Sequence, residues 1–552
     1  MKKRKILALL IALVMAGALF AGCGGGNNAD TSSSPTTSDT ASAGSSSNTS
    51  SGKEISKTFV IGVGYRPSSI DPHDCRNYST TVLLDFIHET LIYSNHDGTG
   101  YFPRLAESWF PNEDGSEWTF NLRKDVTFHK SNNPFTADDV VYSVDRIKNP
   151  DNNLYLSVVF QDLERVEKID DYTVKFVFRM SMPEGESYFT GMTAIRFIDS
   201  KAHQEMGDDY FNLQYCSGTG PWMLEEWIDG QHAYLKKAPN YWDKENYDPY
   251  FDEIYFRTLS EPASAIAAHI SGSIQGYAAN GGISNDLKGL YDDYKDKIDV
   301  ISIQGSSFVN MIMNLKDGSM FQNDKFREAF HLAINRQLII DTIFNGAADM
   351  PIGAYHSASM GYDESLGPIK YDPERAKQLL AEIGYDGRPV EFQYSNTMSQ
   401  GEEMAMAILD MENAVGINLD VQFEDHSVMT TRTTEGDFEV YIIAGSVGDG
   451  LIIRTLQESL LLSNQSRIQQ WPRYPEWEAL VQEVIDAGMD MDKVNEVGKK
   501  INAFRFENYF YNLPLVYRHI TQALDKGIVG IDFYSDGLAC FAYVDWDPSL
   551  AP

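Results

Sequence analysis

Most of the chain alternates between two periodicities of apolar side chains. Residues 118–122 and 174–178 carry apolar side chains at every second position, which is typical of β-strands. Between them, Thr136 is followed three positions later by Asp139, a spacing that predicts a helix start, and the apolar positions that follow predict a helix to about Lys148. Alternation of this kind predicts a mixed α/β fold.

The same two signals recur in the second half of the chain. One helix is expected from residue 324 to a stop near residue 346, and another from residue 372 to residue 384, where glycine commonly ends a helix. Residues 402–415 have helical periodicity, and residues 417–423 then alternate like a strand.

The part with these signals has about 500 residues, and the whole chain is 43% hydrophobic and 12% aromatic. A single hydrophobic core stops growing at about 250–300 residues, so at least two lobes are expected. After the N-terminal region, the sequence has no run of 18 uninterrupted apolar residues, and no later membrane span is therefore predicted.

The N-terminus has the layout of a secretory signal peptide. Basic residues at positions 2–5 precede an apolar run from Ile6 to Phe20, and small residues follow before Cys23. Residues 1–22 are therefore predicted to be a cleaved leader, which places the rest of the chain outside the cytoplasm.

Cys23 directly follows Ala21 and Gly22, and this junction resembles the lipobox of bacterial lipoproteins. In that motif the new N-terminal cysteine receives a diacylglycerol that holds the protein at the membrane surface. The usual leucine three residues before the cysteine is replaced by Phe20. A plain secretory signal or an uncleaved anchor is the alternative.

Residues 24–52 consist almost entirely of small and polar side chains, chiefly Ser, Thr, Gly and Asn. Such a segment has too few apolar groups to offset the entropy of ordering the chain. Residues 23–55 are therefore predicted to be a flexible tether behind the lipidated cysteine.

Charge and cysteine content narrow the function classes. The formal net charge of −34 repels phosphate backbones, which argues against nucleic acid as a ligand. Apart from Cys23, only Cys75, Cys216 and Cys540 remain, without a Cys-x-x-Cys pair, so no zinc site is indicated. One disulfide among the three or three buried thiols are both compatible with the sequence.

A series of spaced blocks between about residues 57 and 544 resembles the family 5 extracellular solute-binding proteins, which include the oligopeptide, dipeptide and nickel receptors of ABC importers. The blocks are Leu105–Trp109, Asp114–Gly115, Trp118–Lys124, Val126–His129, Pro134–Ser143, Gly218–Trp222, Glu226–Trp227, Pro239–Trp242, Ile254–Arg257, Phe326–Arg336 and Tyr371–Lys377.

The resemblance implies a two-lobe clamp of the periplasmic-binding-protein type, with two crossover strands and an extra domain inserted in the first lobe. It implies that a monomer without a cofactor closes on a short peptide and delivers it to an ABC permease. The implied segments are 56–95, 195–305 and 515–552 for lobe I, 96–194 for the inserted domain, and 306–514 for lobe II.

For peptide-binding members, the resemblance also implies an aspartate anchor for the ligand's α-ammonium, and by order along the chain this is Asp449. A buried carboxylate needs such a partner. Ser446 stands where a tryptophan is common in the family, which leaves the cargo class open. The other expected ligand-binding residues are Arg66, Asn77, Phe308, Asn310, Tyr517 and Arg518, with Arg518 a candidate partner for a ligand carboxylate.

Three other functions compete with peptide capture. A secreted hydrolase lacks support, because neither a His-Glu-x-x-His nor a Gly-x-Ser-x-Gly motif occurs, and no catalytic residue is predicted. Oligosaccharide is an alternative cargo, since aromatic clefts also stack sugar rings. A nickel or metal chelate is another, with His73-Asp74-Cys75 as the only suggestive cluster, although adjacent residues rarely converge on one ion.

Overall fold

The computed structural model describes residues 56–550, except residues 68, 76–77, 95–99, 159, 161, 183–184, 191–193, 212–214, 280–282, 284, 317, 358, 396–399, 447–474, 511 and 534–538. The predicted leader, Cys23 and the tether therefore lie outside the described residues, as do Asn77 and Asp449.

The described helices are α1 Tyr78–Ile87, α2 Ala137–Lys148, α3 Ser200–Met206, α4 Pro262–Ile270, α5 Asn285–Lys288, α6 Asp324–Ala333, α7 Arg336–Thr342, α8 Pro373–Ile383, α9 Gly401–Val415, α10 His426–Glu435, α11 Pro475–Ala487 and α12 Met491–Glu507. Within this described part, no helix combines the length and the apolarity that crossing a membrane requires.

The described strands are β1 Thr58–Val63, β2 Ile92–Ser94, β3 Tyr101–Pro103, β4 Ala106–Pro111, β5 Glu117–Leu122, β6 Leu163–Asp170, β7 Thr173–Phe178, β8 Trp222–Ile228, β9 His232–Lys237, β10 Glu253–Thr258, β11 Gly276–Ala278, β12 Ile298–Met313, β13 Ala348–Asp349, β14 Val390–Ser395, β15 Leu419–Glu424, β16 Val440–Ser446, β17 Pro514–Asp525, β18 Ile528–Val529, β19 Asp532–Phe533, β20 Ala539–Cys540 and β21 Asp545–Trp546.

Local capping fixes several of the predicted helix ends. The backbone N–H of Thr136 donates to the Asp139 carboxylate at 2.8 Å at the start of α2. Asp372 accepts from the N–H of Arg375 at 2.9 Å, and Gly384 ends α8 in the left-handed region at φ +63°. The predicted helices at 136–148, 372–384 and 402–415 are confirmed.

The single helix expected from residue 324 to about residue 346 is wrong, because the structure divides it into α6 and α7. Ile334 adopts an extended conformation at φ −86° and ψ 115°. The side chain of Asn335 then accepts a hydrogen bond from the N–H of Leu338 at 3.0 Å and caps a new helix. The apolar periodicity continues through this break, so periodicity alone does not reveal it.

Eleven of the described strands form one mixed sheet, in the order β15-β14-β16-β12-β17-β11-β1-β10-β9-β8, with β13 beside β17. The strands β14, β15 and β16 run parallel, and β12 runs antiparallel to both β16 and β17. The two long strands β12 and β17 therefore lie side by side in the middle of the strand order.

The described residues contain three large hydrophobic cores. The first core contains Phe59, Phe86, Trp222, Phe256 and Leu524. The second core contains Phe308, Met313, Phe330, Phe392, Ile501 and Tyr517. The inserted core contains Trp118, Phe120, Phe128, Phe176 and Phe189, and it packs on the four-stranded sheet β4-β5-β7-β6. The exact domain boundaries stay a prediction.

Buried polar groups join helix α1 to the segments around it. Asp85 and Arg196 form an ion pair at 2.5 Å with side chains only 7% and 2% exposed. Glu89 lies two residues after the end of α1, and its carboxylate accepts hydrogen bonds from Trp242 at 2.9 Å, Tyr241 at 3.2 Å and Tyr543 at 3.3 Å. Burial raises the pKa of Glu89 to about 7 despite these donors.

The cysteines on which the sequence left two alternatives are three buried free thiols, Cys75, Cys216 and Cys540. The sulfur of Cys75 lies 2.9 Å from the Thr81 hydroxyl, and burial raises the pKa of both Cys75 and Cys216. These groups behave as core side chains.

Candidate ligand-binding site

Three neighbouring strands bring most of the predicted binding residues together at the centre of the large sheet. Phe308 on β12 lies opposite Gly445 on β16 and opposite Tyr517 on β17. The backbone of Ser446 ends β16 opposite Ser307, and Asn310 follows on the same face of β12 as Phe308. In the sequence, Phe308 is 209 positions from Tyr517 and 138 positions from Ser446.

Two aromatic side chains form one wall of this site. Phe308 is 9% exposed and Tyr517 is 5% exposed. The ring of His356 meets Tyr517 edge-on, with the ring centroids 4.7 Å apart. Burial raises the pKa of Tyr517, so its phenol stays neutral and offers a hydroxyl rather than a charge.

Asn310 supplies an amide beside the aromatic pair. Its side chain is half-buried, and the buried Oδ1 atom has no hydrogen-bond partner among the described residues. A buried carbonyl oxygen of this kind accepts from an N–H group, and an incoming ligand is one source of such a donor.

Arg518 lies between the two cores, with a side chain that is buried rather than exposed. It is 9% exposed, and its Nη2 donates to the Ser307 hydroxyl at 2.8 Å. The Ser307 hydroxyl in turn donates to the carbonyl oxygen of Gly445 at 3.4 Å. Arg518 therefore has a protein acceptor in a place where the sequence predicted a ligand carboxylate.

Arg66 has a different environment from the other predicted residues. Its guanidinium pairs with Asp229 at 2.9 Å, and the Arg66 side chain is 64% exposed. Its role in binding stays a prediction. Asn77 and Asp449 lie outside the described residues, and so does the stretch from 447 to 474 that follows Ser446.

The groups described at this site are two aromatic rings, the His356 imidazole, an amide and a guanidinium. The two hydrogen-bond partners given above for the Ser307 hydroxyl are Arg518 and a backbone carbonyl, and neither is a general base. Over the described residues, no group of three or more His, Cys, Asp or Glu side chains is arranged to hold a metal ion. Ser307 was not among the binding residues predicted from the sequence, because its only signal there is its position next to Phe308.

Comparison with known proteins agrees with this architecture. Residues 100–451 match the family described as bacterial extracellular solute-binding proteins, family 5 Middle. The glutathione-binding protein GsiB of Salmonella choleraesuis strain SC-B67 is 27% identical over 366 residues, which are 66% of this chain and 68% of that protein.

Solved structures share the fold. The dipeptide-binding protein from Pseudoalteromonas sp. SM9913 in complex with Met-Leu superposes with a TM-score of 0.74 at 18% identity, covering 89% of this chain and 100% of that one. NikZ from Campylobacter jejuni in complex with Ni(L-His) gives a TM-score of 0.73 at 17% identity, with coverage of 89% and 99%. The fold is thus the α/β two-lobe clamp expected from the sequence, and the chain belongs to the family 5 bacterial extracellular solute-binding proteins.

Proposed function

We propose that this protein captures short peptides between its two lobes and delivers them to an ABC importer. The observation that carries the proposal is the convergence of Phe308, Asn310 and Tyr517 on adjacent strands where the sheet passes from the first core to the second. Such a place lines the space between the lobes, where a bound solute contacts both.

The groups at this site suit a peptide. The Asn310 carbonyl oxygen is matched to a peptide N–H, and the largely buried rings of Phe308 and Tyr517 give its surroundings an apolar character. Asp449, beyond the end of β16, is the proposed partner of the ligand's α-ammonium group. Glutathione and dipeptide binding by the two relatives named above supports a cargo of this size.

We further propose that the protein works as an extracytoplasmic receptor and not as an enzyme, held at the membrane by a lipid on Cys23. The leader-like residues 1–22 and the Ser/Thr/Gly-rich segment behind Cys23 support this location. Closure of a monomer on its cargo is the event that an importer's permease is proposed to recognise.

A second cargo class is favoured by one comparison. The likeness to NikZ with Ni(L-His) extends over 89% of this chain, so a metal chelate is the alternative within the same fold. Oligosaccharide remains a further alternative because of the aromatic wall.

Native mass spectrometry on the leaderless chain tests the proposal. Folded and denatured masses are compared to detect whatever the protein retained through purification, followed by a thermal-shift screen of dipeptides, tripeptides, sugar oligomers and nickel–histidine. We expect a set of retained masses that fragment as peptides, or stabilisation by di- and tripeptides. A single sugar or chelate mass would leave the fold unchanged and replace the cargo.

A further inference from the structure

The pairing of the two crossover strands is irregular at two places on β12, between Gln304 and Phe308 and between Val309 and Asn310. The first irregularity is the larger. β12 pairs with β17 from Ile298 to Gln304, and pairing resumes at Phe308. The partners of Gln304 and Phe308 are His519 and Tyr517, so a step of four residues on β12 faces a step of two residues on β17. β12 therefore carries a bulge of two extra residues, and Arg518 is the residue opposite it.

This bulge lies where the strands pass between the cores. Ile520 and Leu524 on β17 belong to the first core, whereas Tyr517, Val516 and Leu515 belong to the second. A change in the angle between the two cores must be taken up by the short stretch between them, which contains the bulge and Arg518.

Arg518 connects the bulge to the neighbouring strand. Its Nη2 donates to the Ser307 hydroxyl at 2.8 Å, and that hydroxyl donates to the Gly445 carbonyl oxygen at 3.4 Å. Ser307 is 3% exposed, so water competes little for these bonds. The backbone of Arg518 is itself fixed by pairing with Ala348 on β13.

Gly445 lies at the C-terminal end of β16, one residue before Ser446 and four residues before Asp449. We propose that Arg518 is a positioning residue, which acts through Ser307 to fix the C-terminal end of β16 against the bulge. The inference rests on the proposed function, and it replaces direct pairing of Arg518 with a ligand carboxylate.

Two possible roles of Arg518 predict different changes in ligand affinity. If Arg518 pairs with a ligand carboxylate, its loss weakens only ligands that carry one. If Arg518 positions β16, its loss weakens binding of all ligands by one common factor. Losing a hydrogen bond to a charged group weakens binding by about 10- to 100-fold, so a loss of that size is expected.

The experiment is calorimetric titration of the leaderless chain with Met-Leu and with its C-terminal amide. The variants are Arg518→Met, Arg518→Lys, Ser307→Ala and the double variant Arg518→Met/Ser307→Ala. Arg165→Met, at an exposed surface pair, is the matched control. We expect equal fold losses for both ligands in Arg518→Met and Ser307→Ala, no further loss in the double variant, and partial recovery in Arg518→Lys. A loss confined to the free-carboxylate ligand overturns the proposal.

A second measurement decides the inference without any ligand. Hydrogen exchange on the empty protein is expected to rise at residues 307–310 and 443–446 in Arg518→Met and in Ser307→Ala, and not in Arg165→Met. Unchanged exchange at both segments overturns the proposal even if the wild type binds peptides well. If the wild type binds neither ligand, the proposal of a peptide cargo is contradicted, but hydrogen exchange still tests the role of Arg518. Ser307→Ala, which removes one hydroxyl, decides it if Arg518→Met does not fold.

Discussion

The ring of Phe308 lies directly over Gly445 on the neighbouring strand. A Cβ atom placed at Gly445 would come within 3.0 Å of two carbons of that ring. The absence of a side chain at residue 445 is therefore what allows the ring to lie against β16, and the aromatic wall depends on it.

Gly445→Ala is accordingly expected to push the Phe308 ring away from β16. Overpacking of a filled site destabilises by about 1–3 kcal/mol, so we expect a loss of that order in urea unfolding together with weaker peptide binding in calorimetry. Gly289→Ala is the matched control, because the nearest atom there is 3.8 Å away. If Gly445→Ala kept wild-type stability and affinity, the Phe308 ring would be able to move away from β16 without cost and would not be a rigid part of the site.

The features that could be predicted from the sequence are those set by near neighbours in the chain. Asp372 and Gly384 fix the ends of α8 by bonds or backbone angles within a few residues, so their identity was enough. The break between α6 and α7 is also set locally, by the bond from the Leu338 N–H to the Asn335 side chain, but it was not predicted because the apolar periodicity continues through it.

The candidate site could be predicted only in part, for a related reason. Phe308 and Tyr517 followed from their order within a family pattern. The contact between Arg518 and Ser307 was missed, because it requires a two-residue excess on β12 that exists only after the strands have paired.

Asp449→Ala is expected to abolish peptide binding while the melting temperature of the empty protein stays nearly unchanged. The reason is that the proposed partner of the carboxylate is the ligand's ammonium group, so the substitution is expected to act on the bound state. Substitutions of this kind typically change stability by about 0.5 kcal/mol or less. Calorimetry and thermal unfolding are compared with Asp410→Ala on the exposed side of α9. Unaltered affinity in Asp449→Ala would exclude this residue as the anchor.

Glu89 is expected to make stability depend on pH between about 4.5 and 7. Its pKa rises from 4.5 to about 7 in the folded protein because of burial, so the folded state holds the proton more tightly than the unfolded state. The resulting stabilisation is full below pH 4.5 and is lost as the pH rises to about 7, a change of at most about 3 kcal/mol.

Urea unfolding of wild type, Glu89→Gln and Glu225→Gln at several values between pH 4.5 and 8 tests this expectation. Comparing the variants with wild type separates the effect of Glu89 on stability from that of the buried histidines. Burial lowers the pKa of His129 to about 4, so the stability that depends on His129 changes with pH in the opposite direction. We expect the free energy of unfolding to fall less in Glu89→Gln than in wild type as the pH rises, even if the two proteins also differ by a pH-independent amount. The exposed Glu225→Gln is expected to follow wild type. If the free energy of unfolding changed equally with pH in wild type and in Glu89→Gln, the raised pKa of Glu89 would be contradicted.

Glu412 is an acidic residue on the buried face of α9. It is 0% exposed, neither carboxylate oxygen has a hydrogen-bond partner among the described residues, and burial raises its pKa well above the usual value. Arg336 is the charged group that opposes this rise, but Arg336 has acceptors of its own, including the carbonyl oxygen of His331 at 3.1 Å.

Replacing Glu412 by leucine is therefore expected to stabilise the protein. The substitution removes a carboxyl group whose desolvation is not repaid by hydrogen bonds, a cost of about 1–3 kcal/mol, and leaves Arg336 bonded to the backbone. We expect a gain of about 1–2 kcal/mol in urea unfolding at pH 7, with Glu403→Leu on the exposed face of α9 as the control. A loss of stability in Glu412→Leu would instead mean that the carboxyl group supports Arg336 within the lobe, and that the pair holds α7 against α9.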